Sequence, residues 1–209
     1  MILIRYCGGL GNQMFQYAFQ TAIQEKYKGI SVKADLSHYI LNHEHNGFEL
    51  EKFFQIRLQE AERKEIKKYS PYYMPSAEVL MMPKAIRNFV TERYQYRYAE
   101  QKKKKNPESF YRQEYHSSFE PKVFDLDRNK DWYLDGLWQN LRYLDGYEEK
   151  VRKAFTFHNE ELYTAQDREW KEQIEKRNSV GIHIRRGDFV NSKFDICSEE
   201  YFRKAIKIL

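Results

Sequence analysis

The apolar positions fall first into a short run, Ile2 to Tyr6. A helical repeat follows, in which Met14, Phe15, Ala18, Phe19, Ala22 and Ile23 share one face. The run predicts a buried strand and the repeat a helix, with Asn12 as its N-cap and Gly29 closing it. Ile30 to Ala34, ending at Asp35, predicts a second strand. Strand, helix and strand in that order favour a parallel sheet, and so an α/β fold. Residues 58–130 lose this rhythm. They are rich in Tyr, Lys and Glu, are interrupted by Pro71, Pro75 and Pro83, and predict several short helices. Trp132-Tyr133-Leu134 resumes as a strand, and Leu141 to Ala154 predicts a helix with Leu144, Tyr147 and Val151 inward. Leu162 to Arg177 predicts another helix, and Ser179 to Ile184 an apolar strand. Ser198 caps a last helix, in which Phe202, Ala205, Ile206 and Leu209 share a face. A boundary near 156–160 is expected, giving domains of residues 1–157 and 158–209.

Composition narrows the class. With 209 residues, 41% of them hydrophobic and 16% aromatic, the chain can bury a core, which argues against disorder. The 36 basic residues exceed the 31 acidic ones by only five, so an anionic partner fits but nucleic acid is not implied. Cys7 and Cys197 cannot make a disulfide framework, so a reducing compartment, the cytoplasm, is expected. Met1-Ile2-Leu3-Ile4 is too short for a secretory signal and is cut by Arg5. No apolar stretch approaches the roughly 18–20 residues that cross a bilayer, though peripheral contact at the inner membrane stays open. Lys102 to Lys105 with Tyr94, Tyr96 and Tyr98 could stack on single strands. A solvated face accounts for the same residues.

Two motifs carry chemistry. Cys7-Gly8-Gly9-Leu10-Gly11-Asn12-Gln13-Met14-Phe15 joins the first strand to the first helix. A strand, a glycine turn and a helix N-terminus make a ready anion site, because unpaired N–H groups converge there and the helix dipole adds partial positive charge. A tight turn without a ligand is the plainer account. A dinucleotide is a rival ligand, with Asp35 placed to take a ribose, but Met14 stands where the third glycine of that fingerprint belongs. The second motif, Gly181-Ile182-His183-Ile184-Arg185-Arg186-Gly187-Asp188, sets two guanidiniums after an apolar strand. They could grip a diphosphate there or form a solvated basic turn. His183 reads as a core histidine or as a catalyst. Arg186-Gly187-Asp188 is also an adhesion tripeptide, a reading that its place against an apolar strand disfavours. No His/Cys/Asp cluster has metal-ligand spacing; His38, His43 and His45 crowd one loop but without partners give only a weak zinc signal, so no metal is expected.

Gly8 to Ala18 and His183 to Asp188 closely resemble the bacterial α-1,2-fucosyltransferases, glycosyltransferase family 11. Gly136-Leu137-Trp138-Gln139 is similar to that family's Gly-Tyr-Trp-Gln segment, and Asn46 to Leu50 also looks familial. The resemblance implies a GT-B-like architecture of two Rossmann-like domains: an acceptor-side domain over residues 1–157 and the start of a donor-binding domain over 158–209. It implies GDP-β-L-fucose as co-substrate, without cofactor or metal, and a galactose-terminated glycan as acceptor, joined by an α-1,2 link with inversion. Arg185 would then bind the β-phosphate with Arg186 in support. Gly8, Gly9, Gly11, Asn12, Gln13 and His183 would line the donor side. Asp188 would be a catalytic carboxylate, and Trp138 and Gln139 would face the acceptor. Family members run on for many more residues, so the second domain is expected to be incomplete here. The competing function is an NAD-type oxidoreductase that uses the Gly8–Gly11 turn and Asp35.

Overall fold

The computed structural model describes residues 1–41, 46–73, 82–83, 85–87, 89, 109–157, 161, 163–184, 190 and 196–208. The chain forms two compact units, residues 1–160 and 161–209.

The first unit is built on a parallel sheet of β1 (Ile2–Arg5), β2 (Val32–Asp35), β3 (Phe110–Arg112) and β4 (Trp132–Asp135), in the order β2-β1-β4-β3. The pleat sends alternate side chains to opposite faces. Ile2, Ile4, Val32, Ala34 and Leu134 face the main core, together with Phe19 and Ile23 of α1 (Leu10–Lys26). Leu3 and Tyr133 face a smaller cluster with Tyr72, Tyr69 and Ala61. The β1-α1-β2 unit thus forms as its pattern predicts. Gly9, not Asn12, is the N-cap of α1. Asn12 lies in the first turn, where its side chain accepts a hydrogen bond from Gln139 instead.

Short helices α2 (Ser37–Leu41), α3 (Leu50–Phe53) and α4 (Arg63–Tyr69) follow β2. Lys33 of β2 donates to Glu65 of α4 at 2.7 Å, and that bond holds Glu65 below its ordinary value of 4.5. A depressed carboxylate stabilises the fold above its unfolded pKa and loses that contribution as pH falls through the folded one. Acid titrations of the wild type and Glu65→Gln should therefore differ at neutral pH and converge in acid, with unfolding by circular dichroism as the readout.

The single helix expected over Leu141–Ala154 is two pieces, a 3-10 turn at Leu141–Leu144 and α5 (Glu148–Ala154). Gly146 turns the chain between them at φ 85°, a left-handed conformation in which a helix cannot continue. Tyr143 and Val151 are the buried residues of this stretch.

Trp138 is wholly buried, stacks on Phe19 at a centroid distance of 3.9 Å and meets Tyr143 edge-on. A β-carbon on Gly136 would stand 2.8 Å from Gln113 and 2.9 Å from the Trp138 ring. Gly136→Ala is therefore expected to cost about 1–3 kcal/mol through overpacking, measurable as a lowered denaturation midpoint.

The second unit contains α6 (Ala165–Glu175), capped by Thr164, and α7 (Glu199–Ile206), capped by Ser198. The expected strand at Ser179–Ile184 is not formed. Val180, Ile182 and Ile184 are 63%, 49% and 53% exposed. A parallel strand exists only against a neighbour, and no strand stands among the described residues of this unit. No helix among the described residues is long and apolar enough to cross a membrane.

Candidate active site

The glycine turn is fastened from beneath by side chains of its own helix. Gln13 is wholly buried. Its Nε2 donates to the carbonyls of Gly8 (3.0 Å) and Gly47 (2.8 Å), and its Oε1 accepts from the Glu49 amide (2.8 Å). Gln16, also buried, accepts from the Cys7 amide and donates to the Gly136 carbonyl. Tyr39 donates to the Gly8 carbonyl at 3.0 Å, and burial pushes its hydroxyl well above the ordinary value, so it stays a donor. Gly8 itself is in the left-handed region at φ 79°, where a β-carbon would stand 2.3 Å from Asn12 Nδ2. Here the fold itself requires glycine.

What the turn presents outward differs. The first intrahelical bond runs from the Gln13 amide to the Gly9 carbonyl, so the amides of Leu10, Gly11 and Asn12 precede it as unbonded helix-start donors do. No acidic side chain occupies the first turn of α1 to neutralise the positive end of its dipole. Gly11 is exposed, and Asn12 and Gln139 are half-buried. Gln139 Nε2 donates to Asn12 Oδ1 at 2.7 Å, joining residues 127 apart in sequence. Two residues from separate motifs thus meet at the mouth of the turn. Trp138 does not join them. Its ring is sealed in the core, where an acceptor sugar does not reach it. Trp138 also carries the positive φ of 55° that swings the chain toward Gln139. Gln13 is likewise an internal fastener with no surface for a ligand.

Below the turn, each strand brings a charged residue to its carboxyl end on the face opposite α1. Arg5 of β1 donates to Asp135 of β4 at 3.0 Å, lies 4.2 Å from the centroid of the Tyr72 ring, and is 3.4 Å from His38 Nδ1. Arg112 Nε is 3.4 Å from the second Asp135 oxygen, to which Tyr72 also donates. Asp35 of β2 accepts from Tyr133 at 2.7 Å and from the Ser37 amide at 2.9 Å. Burial first, and then the Asp35 charge, push the Tyr133 hydroxyl well up, which keeps it a donor. Asp35 is 1% exposed with both oxygens engaged, so it is not free to take a ribose. The dinucleotide alternative loses its acid.

This fastening was missed in the sequence, although Gln13, Gln16 and Gln20 gave a signal. Three glutamines at helical spacing lie on the buried side of α1, where an apolar stripe alone was expected. Of the second motif, His183 is exposed. Arg185, Arg186, Gly187 and Asp188 lie outside the described residues. So do Tyr94, Tyr96, Tyr98 and Lys102 to Lys105, His43 and His45. Among the described residues, no group of three His, Cys, Asp or Glu side chains could hold a metal ion.

Comparison with known proteins decides the family. The model of Glycosyl transferase family 11 matches residues 1–209. The chain belongs to glycosyltransferase family 11. Within it, the chain is 29% identical to an alpha-1,2-colitosyltransferase of Escherichia coli over 215 residues, covering all of this chain and 64% of that protein. It is 26% identical to the O-antigen biosynthesis glycosyltransferase WbnK of Escherichia coli over 224 residues, covering 97% of this chain and 66% of that one. This family 11 chain therefore spans just under two thirds of the length of these curated relatives. No solved structure matches it. The parallel sheet and its helices are compatible with the Rossmann-like halves of a GT-B glycosyltransferase.

Proposed function

We propose that the protein moves L-fucose from GDP-β-L-fucose to the 2-hydroxyl of a terminal galactoside, with inversion. The observation that carries this reading is the family match along the whole chain. The meeting of Asn12 and Gln139 at an open helix start supports it. A relative named for α-1,2 transfer supports the linkage, and its colitose makes the donor sugar the first thing to test.

In the proposed reaction the acceptor oxygen attacks C1 of the donor sugar as the C1–O bond to the diphosphate breaks, and GDP departs. Negative charge grows on the leaving group, and fixed cations there stabilise the transition state more than the ground state. Arg185 is the assigned phosphate ligand, with Arg186 in support. Asp188 is the candidate acceptor of the hydroxyl proton. The amides of the glycine turn and Asn12 line the donor side. Charge compensation comes from the protein, so the proposal includes no cofactor. The setting is the cytoplasm, with a membrane-borne glycan reached from its inner face.

The test is incubation with GDP-fucose or the corresponding colitose nucleotide and lactose, with the product read by mass spectrometry and linkage analysis. An α-1,2-linked trisaccharide from GDP-fucose supports the reading; product from the colitose nucleotide alone would keep the linkage and overturn the donor sugar. Titration with GDP and NAD reads the nucleotide independently of turnover. Tight NAD binding without GDP binding would overturn it.

A further inference from the structure

A groove of about 650 Å³ runs from the open side of the glycine turn along α1 to α5. That volume lies within the ~300–1,000 Å³ of small-ligand sites, which are mostly apolar with a few placed polar groups. Its wall includes the half-buried ring of Phe15, and Asp145, Glu148 and Arg152 stand on its rim. Among the described residues no hydrogen bond or ion pair engages the carboxylate of Asp145 or Glu148, and Arg152 comes no nearer than 3.8 Å to Glu149. Their donors and acceptors are therefore open to a ligand.

Gly11 forms the end of the groove nearest the turn, and it is a glycine the fold does not need. Its φ is not in the left-handed region, and nothing lies within 4 Å of where its β-carbon would be. A side chain would fit there, and alanine in a helix is favoured over glycine by up to about 1 kcal/mol. Gly8, three residues earlier, is the opposite case. Bare backbone at Gly11 keeps the passage between turn and groove open.

We infer that this groove seats the acceptor saccharide, with a sugar ring against Phe15, its hydroxyls on Asp145, Glu148 and Arg152, and Gly11 left bare so that the reacting hydroxyl reaches the turn. This inference rests on the reading of the turn as the donor side. Group transfer needs the second substrate about 3–3.5 Å from the first, and the groove shares Gly11 with the turn. A sugar suits both parts of the lining. Its C–H face packs on an aromatic ring, while its hydroxyls donate to carboxylates, which accept only. A hydrocarbon chain would leave the rim charges unused.

The experiment follows backbone amide shifts of the isotope-labelled protein on titration with lactose and, separately, with GDP. Lactose should move the amides of Gly11, Phe15, Leu144 and Glu148. Phe15→Leu and Glu148→Gln should each weaken lactose binding about tenfold and leave GDP binding unchanged. Gly11→Leu should abolish lactose binding with a melting temperature equal to or above that of the wild type. Lactose shifts confined to another surface, with GDP still bound, would overturn the groove and spare the proposed function. Loss of GDP binding in the wild type would instead remove that function. Self-association lost in Phe15→Leu would make the groove a contact between copies and overturn the inference. A melting temperature lowered in Gly11→Leu would show that the fold needs glycine there, and would overturn the argument from Gly11.

Discussion

Alanine in place of Arg185 is expected to lower sugar transfer about 10²–10³-fold, the loss seen when one donor aimed at developing charge is removed. The departing nucleoside diphosphate gains charge as C1–O breaks, so a guanidinium on the β-phosphate acts most strongly at the transition state. The fall should appear in kcat with little change in KM for the acceptor, since the role proposed for this arginine is on the donor's phosphate. Arg185→Lys should recover part of the rate. Lysine keeps the charge but loses the planar fork that holds two phosphate oxygens at once. A melting curve run alongside separates lost chemistry from lost fold. An unchanged rate in a folded Arg185→Ala protein would remove the proposed role. The residue lies outside those the structure describes, so the expectation rests on the motif and the chemistry of the leaving group.

What the sequence made legible was local. The β1-α1-β2 unit follows from a short apolar run, a strong helical period and glycines at both helix ends, and each of these acts within a few residues. The break at Gly146 was not legible, because the apolar spacing of Leu144, Tyr147 and Val151 continues through it while one left-handed residue ends the helix. Strand β3 is three residues long at the sheet edge, too short to set up a period. Trp138 was expected at the acceptor because of the family resemblance of its segment. Its burial depends on Phe19, more than a hundred residues away. The charged row at the carboxyl ends of the strands was equally hidden. Arg5, Asp35 and Asp135 have the composition of surface residues, and only the strand order makes them neighbours. In the candidate site the glycine turn was found, but its exposed and internal parts were not told apart. Gln13 and Asn12 are adjacent in sequence and project in different directions around a helix.

Arg5→Leu is expected to destabilise the protein by about 3–5 kcal/mol, the cost of removing one partner from a buried ion pair. Burial by itself, the largest single influence, would favour loss of the arginine's charge, but the combined pull of Asp135, Cys7, Tyr133 and Tyr72 outweighs it, and the guanidinium is held charged well above its ordinary range. Asp135 is 4% exposed and, among the described residues, would keep Arg112 and the Tyr72 hydroxyl as partners. Chemical denaturation of Arg5→Leu, Asp135→Leu and the double variant checks this. The double variant should fall well short of the sum of the two singles, because it removes both members of the pair and leaves neither facing the other's empty place. Additive losses would mean that the pair contributes packing and nothing more. The same variant should also weaken GDP binding. Arg5 ends β1, and the next residues are the turn that carries Asn12. Asp135 ends β4, and the next residues lead to Gln139. The ion pair ties together the bases of the two segments whose tips meet at 2.7 Å, so loosening it should separate the tips before the sheet unfolds. A variant that is less stable yet binds GDP with unchanged affinity would show that the segments hold their positions without the pair.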